Sequence, residues 1–442
     1  MLYRKIQTYI ERHLTSGSDK ILIVDGARQT GKSYIIRHVG KQLFANYIEL
    51  NMEEDALGDR LFADVRTKED FYLSVSVVAG DRMGGKDDTL VFIDEIQRYD
   101  HLLTLLKFLR EDNRFTYIAS GSLLGVTLRL TPSVPLGSID IQNMYPLDFE
   151  EYLIACGVGR EFIDAMRMRY ELRKPLPDAM HLKMMNLLRK YLLCGGLPDA
   201  VNTFIEEQNI VKVREIQRQI KHLYQVDASR YEDIRGRLKI QRIYEMIPSN
   251  LENKKKRVVA KNVEGITGKR MADYQDEFDY LISSGIALEV KAVSKPAYPL
   301  LQNSGKNLLK LYMNDVGLFT ATLYNNNIQP VMNDAASVNL GAVYETLVAQ
   351  ELKAHGLKLF YFDSKKSGEV DYIIDDSRHL SVMPIEVKSG RDYKTHSALC
   401  NLLSVEEYGI KNAFVLSNEQ KVWTERGITY MPIYYVMFIG GS

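Results

Sequence analysis

Eight consecutive residues near the start of the chain have the types and spacing needed to hold a polyphosphate. They are Gly26, Ala27, Arg28, Gln29, Thr30, Gly31, Lys32 and Ser33, with Tyr34 directly after them. The pattern is G-x-x-x-x-G-K-S, in which the glycines let the backbone wrap a phosphate and point several N–H groups at it. Lys32 can reach the β- and γ-phosphates, and the Ser33 hydroxyl can hold Mg²⁺. These residues, 26–34, therefore predict a nucleotide site that takes ATP and Mg²⁺.

The flanking sequence supports this interpretation. The apolar run Ile21–Val24 precedes the motif, and residues 34–37 read as the beginning of a helix. A phosphate-binding loop belongs between a buried strand and a helix N-terminus, whose dipole adds positive charge. A chance glycine turn is the alternative, but it would not require these flanks.

An acidic pair completes the predicted site. The apolar run 90–93 ends in Asp94 and Glu95. Asp94 is expected to hold Mg²⁺ opposite Ser33, and Glu95 to act as the base that polarises a water for attack on the γ-phosphate. In isolation such a pair would more often cap a helix, but after a P-loop it predicts ATP hydrolysis.

Three further residues are candidates for the same reaction. Ser120 and Ser122 follow the apolar run 115–119 and could orient the attacking water, or could simply cap the next helix. Arg129 is a candidate for an arginine supplied to a neighbouring subunit in a ring. An ordinary surface arginine is the alternative for Arg129.

A second group of charged residues lies near the end of the chain. Glu386 and Lys388 are two positions apart, so a strand would project them to one side, and Asp371 on a neighbouring strand could join them. Glu345, on a helix predicted to be amphipathic over 341–355, could supply another carboxylate. Glu345, Asp371 and Glu386 would hold Mg²⁺, and Lys388 would position a water for phosphodiester attack. A domain that only binds, or a surface ion pair, are the alternatives.

Composition narrows the class of protein. The 442 residues are enough for two to four domains, and Lys+Arg and Asp+Glu both number 57, so bulk charge does not indicate nucleic acid. Three widely spaced cysteines fit a reducing compartment. No apolar run approaches the ~20 residues of a membrane span, so we expect a cytoplasmic protein without a membrane partner.

The order of strand-like and helix-like patterns along the chain predicts four regions, each of them α/β or helical. Residues 1–145 alternate strands and helices, 146–230 read as a helical lid, 231–325 as helices followed by a hairpin, and 326–442 as a last α/β unit. The third region suggests a winged helix, in which the basic residues 254–257 would contact DNA phosphates or lie on a solvated surface. In the fourth region, further strands are predicted, the last of them over 433–436.

Longer stretches carry a family resemblance. They are GARQTGKS (26–33), LVFIDEIQ (90–97), ASGSLL (119–124), MYPLDFEEYL (144–153), GGLPDA (195–200), LYMNDVGL (311–318), GAVYETLVAQEL (341–352), GEVDYII (368–374) and PIEVKSG (384–390). The chain resembles a prokaryotic family of AAA+-like P-loop ATPases whose C-terminal domain of unknown function bears a PD-(D/E)xK nuclease-like signature. One departure is Ser138, which follows Gly137 where many relatives have arginine.

The resemblance implies an architecture. It is α/β: a parallel-sheet ATPase core, a helical lid, a winged-helix-like connector and a restriction-endonuclease-like C-terminal domain. The family implies no settled role, so the function is predicted from the two candidate sites: an ATPase that couples nucleotide state to DNA binding or processing, expected to form a homo-oligomeric ring through the core. The alternative is a nucleotide-dependent protein-interaction switch whose nuclease-like domain is non-catalytic.

Overall fold

The computed structural model describes residues 1–122, 124–125, 127, 137–228, 234–253, 256–304, 308–333, 340–390 and 394–441. The chain divides into two compact units, each with its own sheet. The first unit consists of Met1–Tyr145 with Ser283–Gly285, and the second of Pro146–Ile282 with Ile286–Ser442.

The first unit is a parallel α/β layer structure. Its strands are β1 (Ile21–Asp25), β2 (Asn46–Asn51), β3 (Thr89–Asp94), β4 (Thr116–Gly121) and β5 (Ile139–Asn143). Its helices are α1 (Lys5–Thr15), α2 (Lys32–Leu43), α3 (Met52–Leu57), α4 (Lys68–Ala79) and α5 (Asp100–Asp112). The strands pair in parallel in the order β2-β3-β4-β1-β5, which confirms the predicted parallel sheet.

The apolar runs form strands because both faces of this sheet are covered. Ile21 and Ile23 of β1 belong to a core cluster that includes side chains of α4 and α5. Leu22 and Val24 point to the opposite face and join a cluster that includes side chains of α1 and α2. A strand buried on both faces has no polar alternation, which is why the sequence of β1 is continuously apolar.

The strand order brings the predicted chemistry together. β4 lies between β1 and β3, and all three run in the same direction. Their carboxyl ends therefore meet at one edge of the sheet, where ligands bind in open α/β folds. The loop after β1, the acidic pair at the end of β3 and the serines at the end of β4 all lie at this edge.

The second unit begins with helices. They are α6 (Phe149–Ala155), α7 (Arg160–Glu171), α8 (Asp178–Cys194), α9 (Pro198–Glu207), α10 (Ile210–Ala228), α11 (Ile234–Glu252), α12 (Ala260–Glu264) and α13 (Gln275–Ser283). Asp148 caps α6 through a reciprocal capping box with Glu151, and Pro198 stands in the first turn of α9. Tyr191 of α8 lies within the same unit as Gln350, whose amide donates to the Tyr191 hydroxyl at 2.8 Å. The helices predicted as a lid thus pack within the second unit.

The rest of the second unit is built on a mixed sheet. Its helices are α14 (Val316–Tyr324), α15 (Gln329–Met332), α16 (Gly341–Ala354) and α17 (Ser397–Leu403). Its strands are β6 (Ala287–Val293), β7 (Leu309–Met313), β8 (Phe360–Ser364), β9 (Gly368–Asp376), β10 (Ser381–Val387), β11 (Ala413–Ser417), β12 (Trp423–Glu425) and β13 (Ile428–Pro432). Among the described residues the order is β12-β13-β11-β10-β9-β8-β6-β7.

Three expectations change here. The predicted hairpin exists, since β6 and β7 pair antiparallel, but β6 also pairs in parallel with β8, so it belongs to the C-terminal sheet and not to a separate winged helix. Residues 433–436 are not a strand: a 3₁₀ helix, Ile433–Phe438, follows Pro432, whose missing N–H ends the strand. The helix α16 is buried all round over 342–352 rather than amphipathic.

Candidate functional site

The loop between β1 and α2 has the backbone of a phosphate cradle. Gly26 has φ 152°, and a Cβ there would lie 2.1 Å from the carbonyl oxygen of Met144. Gln29 and Gly31 also have positive φ, at 64° and 94°, and Gly31 is the N-cap of α2. The loop needs glycine at Gly26 for space and at Gly31 for conformation. The motif therefore sits where the sequence predicts it, before a helix N-terminus.

Lys32 is folded back over its own loop. Its Nζ donates to the carbonyl oxygens of Gly26 and Ala27, at 2.8 Å and 2.9 Å. The Thr30 hydroxyl also donates to Ala27, at 2.9 Å. Burial lowers the pKa of Lys32, and the charges of nearby carboxylates, Glu95 first, oppose that shift. When a nucleotide binds, its phosphate oxygens can replace these two carbonyl oxygens as acceptors for the Lys32 ammonium.

Asp94 is held at the position predicted for a Mg²⁺ ligand. The buried Ser120 hydroxyl donates to its Oδ1, and hydrogen bonding from Ser33 also reaches this carboxylate. Burial raises the pKa of Asp94, and both hydroxyls work against that rise. A carboxylate oxygen beside a hydroxyl is the hard oxygen donor set that suits Mg²⁺, so these residues fit the metal.

Glu95 is fixed by two neighbours. It has a left-handed backbone, φ 53° and ψ 45°, which turns it away from the strand direction. The Ser122 hydroxyl donates to its Oε2 at 2.9 Å, and the Gln97 amide donates to the same oxygen. Burial alone would raise the pKa of Glu95, but the charge of Lys32 and the hydrogen bond from Gln97 bring it below its ordinary value. The carboxylate is thus kept ionised, as a base for water requires.

These side chains line one cleft of about 340 Å³. Its lining residues are Arg28, Gln29, Gly31, Lys32, Ser33, Tyr34, Asn51, Glu53, Asp94 and Glu95. Tyr34 is 56% exposed. Asn51 and Glu53 come from the end of β2 and the start of α3, and sequence reasoning missed them. Both residues reach the cleft because β2 pairs with β3, and the sequence of β2 does not reveal that pairing.

Two more residues of the site were missed. Gln97, which holds Glu95, lies two positions after it in the same motif. Asp25, at the end of β1, has a buried Oδ1 with no hydrogen-bond partner, and burial raises its pKa to about 6 against the opposing charge of Lys32. Arg129, the predicted ring arginine, lies outside the described residues.

The second predicted site also gathers, within the second unit. Glu345 of α16, Asp371 of β9 and Glu386 of β10 are all buried, and Lys388 follows β10. Lys388 Nζ donates to Oε1 of Glu386 at 2.8 Å, while Asp371 Oδ2 accepts the Val387 N–H at 2.9 Å. The pair Glu386–Lys388 is therefore no exposed surface pair.

The pKa values of two of these carboxyls are raised. Burial is the main cause for both Glu345 and Glu386, and the negative charge of Asp371 is the next. The Tyr312 hydroxyl donates to Oε2 of Glu345 at 3.1 Å. Oε2 of Glu386 is buried without a hydrogen-bond partner. This orphaned oxygen is the feature that a cation would satisfy.

A lysine stands where that cation was predicted. Lys256 Nζ contacts Oε1 of Glu345 and lies 3.9 Å from Oδ1 of Asp371. Across the parts of the chain that the structure describes, no three His, Cys, Asp or Glu side chains converge to hold a metal ion. As folded, the cluster does not fit the Mg²⁺ site that the sequence predicts.

Comparisons with known proteins bear mainly on the first site. Residues 18–153 match a family model described as an AAA domain. Residues 185–329 and 340–436 match two domains of unknown function, DUF8612 and DUF4143. No curated protein matches the sequence. Within the described residues, no helix combines the length and apolarity needed to cross a membrane.

Three solved structures illustrate the distant matches. A Walker-type ATPase of Pyrococcus abyssi matches with 14% identity over 73% of this chain and 96% of its own, at a TM-score of 0.44. A Holliday junction branch migration motor, RuvB of Thermotoga maritima, matches with 13% identity over 65% and 89%, at a TM-score of 0.31. DnaA of Aquifex aeolicus matches with 9% identity over 63% and 88%, at a TM-score of 0.28.

The family match and the geometry agree on the N-terminal region. The matched residues contain the phosphate loop, the acidic pair and both serines. Residues 18–153 are therefore similar in sequence to an AAA domain, and they carry a phosphate-binding loop and an acidic pair at one edge of a parallel sheet.

Proposed function

We propose that the chain hydrolyses ATP with Mg²⁺, using Glu95 as the base for the attacking water. The observation that carries this proposal is the convergence of Lys32, Ser33, Asp94 and Glu95 on one cleft at the carboxyl edge of a parallel sheet. Bound Mg²⁺ would neutralise charge on the phosphates. Ser33 and Asp94 are the residues that would hold it.

Each side chain has a distinct role in this proposal. Lys32 exchanges its two carbonyl contacts for phosphate oxygens, which places its charge against the β- and γ-phosphates. Glu95 accepts the proton of the water. The serines act through the carboxylates: Ser120 holds Asp94 and Ser122 holds Glu95. They are positioning residues, and the structure supports this role better than direct contact with the water.

The test is a pair of measurements on purified full-length chain. Glu95→Gln should bind ATP as the parent does, while its hydrolysis rate falls roughly 10²- to 10⁴-fold, because only the proton transfer is lost. Lys32→Ala should lose ATP binding. Glu69→Gln, on an exposed position of α4, is the matched control and should hydrolyse normally. A Glu95→Gln protein with parental turnover would end the proposal.

A second function is proposed for the second unit: nucleic acid binding or processing driven by the nucleotide state. The observation that favours it is the buried cluster of Glu345, Asp371 and Glu386 with Lys388. DNA cleavage should be assayed with plasmid and linear DNA, ATP and Mn²⁺, beside an Asp371→Ala variant. Cleavage by the parent and none by the variant would establish processing.

Intact DNA in every lane would leave the interaction switch as the function of the second unit. The contact of Lys256 with two of the carboxylates favours that alternative, since it fills the place of a catalytic cation. The switch requires a nucleotide-dependent assembly. Sedimentation of Glu95→Gln with and without ATP would reveal it as a change in oligomeric state.

A further inference from the structure

The ammonium of Lys256 lies beside two of the three carboxylates of the cluster in the second unit. It contacts Oε1 of Glu345 and lies 3.9 Å from Oδ1 of Asp371, while Lys388 pairs with Glu386 at 2.8 Å. Glu345 is 2% exposed and Lys256 23%, so the pair is largely shielded from water. An ammonium at this depth stays only because carboxylates compensate the lost hydration.

The segment that carries Lys256 is fastened on its C-terminal side. Arg257 Nη1 lies 3.5 Å from Oδ2 of Asp363 on β8, and the Val258 N–H donates to the carbonyl of Leu309 on β7 at 3.2 Å. We call residues 256–258 the strap. The strap crosses from the helix α11 to the sheet and presents the lysine to the cluster.

The strap holds Lys256 in a conformation that a lysine rarely adopts. Its φ is 45°, in the left-handed region, and its N–H donates to the carbonyl of Asn253 at 3.0 Å. Such a conformation costs free energy and persists only where the surroundings enforce it. The surroundings that hold it here are the ion pair with Glu345, the nearby carboxylate of Asp371 and the contacts of the strap with the sheet.

The charges of the cluster are almost balanced by its own lysines. Three carboxyls face Lys256 and Lys388, and the buried Lys310, which pairs with Glu369 at 2.6 Å, adds a third ammonium near Glu345. The remaining Oε2 of Glu386 is nevertheless buried without a hydrogen-bond partner, so the cluster has acceptor capacity beyond these lysines. A divalent cation would use that oxygen, but the approach to Glu345 and Asp371 is taken.

We propose that Lys256 is a built-in cation that keeps divalent metal out of this cluster. The inference rests on the proposed nucleic acid function of the second unit, whose catalytic state would need the lysine withdrawn. A tethered ammonium competes with a free ion at high effective concentration. Both cations cannot share Glu345 and Asp371, since like charges at that distance repel.

The test is Mn²⁺ binding by titration calorimetry, with full-length chain and no nucleotide. Lys256→Gln, which removes the charge and leaves a shorter polar side chain, should bind Mn²⁺ roughly 10- to 100-fold more tightly than the parent. Lys256→Arg, which keeps the charge, should behave as the parent. Adding Asp371→Asn to Lys256→Gln should abolish the gain, which separates this site from any metal held at the nucleotide cleft.

Equal Mn²⁺ affinity of the parent and Lys256→Gln, whether tight or undetectable, would show that the lysine does not control the site. Metal binding gained without DNA cleavage would leave the proposal standing and remove the nuclease function.

Lys256→Gln leaves Glu345 as a buried charge without its partner, and this change alone could unfold the protein. A second pair of variants tests the proposal in that event. The double variant Lys256→Gln with Glu345→Gln removes both charges and leaves Asp371 and Glu386. It should still gain Mn²⁺ binding over the matched single variant Glu345→Gln. No gain in the double variant would overturn the proposal.

Discussion

Within the nucleotide cleft, two serines divide the task of holding two carboxylates. Ser120 donates to Asp94, and Ser122 donates to Glu95 at 2.9 Å. Both serines are buried, so each hydrogen bond is made without competition from water. At this scale the site is a set of acids whose orientation is fixed before the nucleotide arrives.

We expect Ser122→Ala to slow ATP hydrolysis about tenfold with little change in the KM for ATP. Glu95 keeps its charge in this variant but loses one of the two hydrogen bonds that orient it. Ser120→Ala should act differently and raise the Mg²⁺ concentration needed for half-maximal rate. Steady-state rates measured across a Mg²⁺ series distinguish the two. Identical Mg²⁺ curves for both variants would contradict the division of roles.

Asp25 gives the first unit a pH dependence. Burial raises its pKa from 3.8 to about 6, so the folded state holds the proton more tightly than the unfolded state. Ionising this carboxyl costs more free energy in the folded state than in the unfolded state. The free energy of unfolding therefore falls as pH rises from about 4 through about 6. Asp25→Asn should be more stable than the parent at pH 8 by about 1–3 kcal/mol, and the gain should vanish near pH 4.

The measurement for Asp25 is the unfolding transition that shifts when ATP is added, followed between pH 4 and pH 8. Asp87→Asn, at an exposed position of the same unit, is the control and should track the parent at every pH. A gain for Asp25→Asn that does not change with pH would show that the carboxyl is not the cause.

At the scale of elements, the site depends on how β1 joins its neighbours. The carbonyl of Asp25 accepts the Met144 N–H at 2.7 Å, directly after β5 has paired with β1. Gly26 then turns the chain against the Met144 carbonyl, at a distance that leaves no room for a side chain. The phosphate loop thus begins at a point where two backbones touch.

Gly26→Ala should therefore damage both the fold and the site. The added Cβ would lie 2.1 Å from the Met144 oxygen, so β5 or the loop must move. We expect a loss of roughly 1–3 kcal/mol in stability and a marked loss of ATP affinity. Gly85→Ala, where a Cβ meets nothing within 4 Å, is the matched control for thermal unfolding and nucleotide titration. Unchanged ATP affinity in Gly26→Ala would refute the close-contact argument.

At the scale of the whole molecule, charge decides how a nucleic acid partner would be recognised. Lys+Arg and Asp+Glu balance at 57 each, so attraction to DNA must come from a local surface rather than from net charge. A local basic surface releases few counterions, and its binding therefore depends on salt less steeply than that of a strongly basic protein.

If the second unit binds nucleic acid as proposed, DNA should stimulate ATP hydrolysis by the parent. The stimulation should fall as the salt concentration rises. Lys32→Ala should show no hydrolysis with or without DNA. The assay is the hydrolysis rate with single-stranded and duplex DNA from low to physiological salt. Hydrolysis indifferent to every form of DNA would favour the interaction switch.

Local sequence determined the nucleotide site. The residues from Gly26 to Ser33 must be contiguous to wrap one phosphate, and Asp94 and Glu95 follow a run apolar enough to be a buried strand. Because parallel strands expose their carboxyl ends at one edge of the sheet, the sequence alone predicts that these segments lie close together. Most strands and helices were also predicted, since their periodicity and caps are local properties.

Tertiary structure alone decided the rest. The membership of β6 and β7 in the C-terminal sheet depends on pairing between β6 and β8, which lie more than 60 residues apart and carry no local mark of it. The placement of Lys256 against Glu345 is likewise a long-range contact, 89 positions along the chain. Sequence spacing can show which side chains share a strand face, but the cation nearest to a carboxylate is set by packing between distant segments.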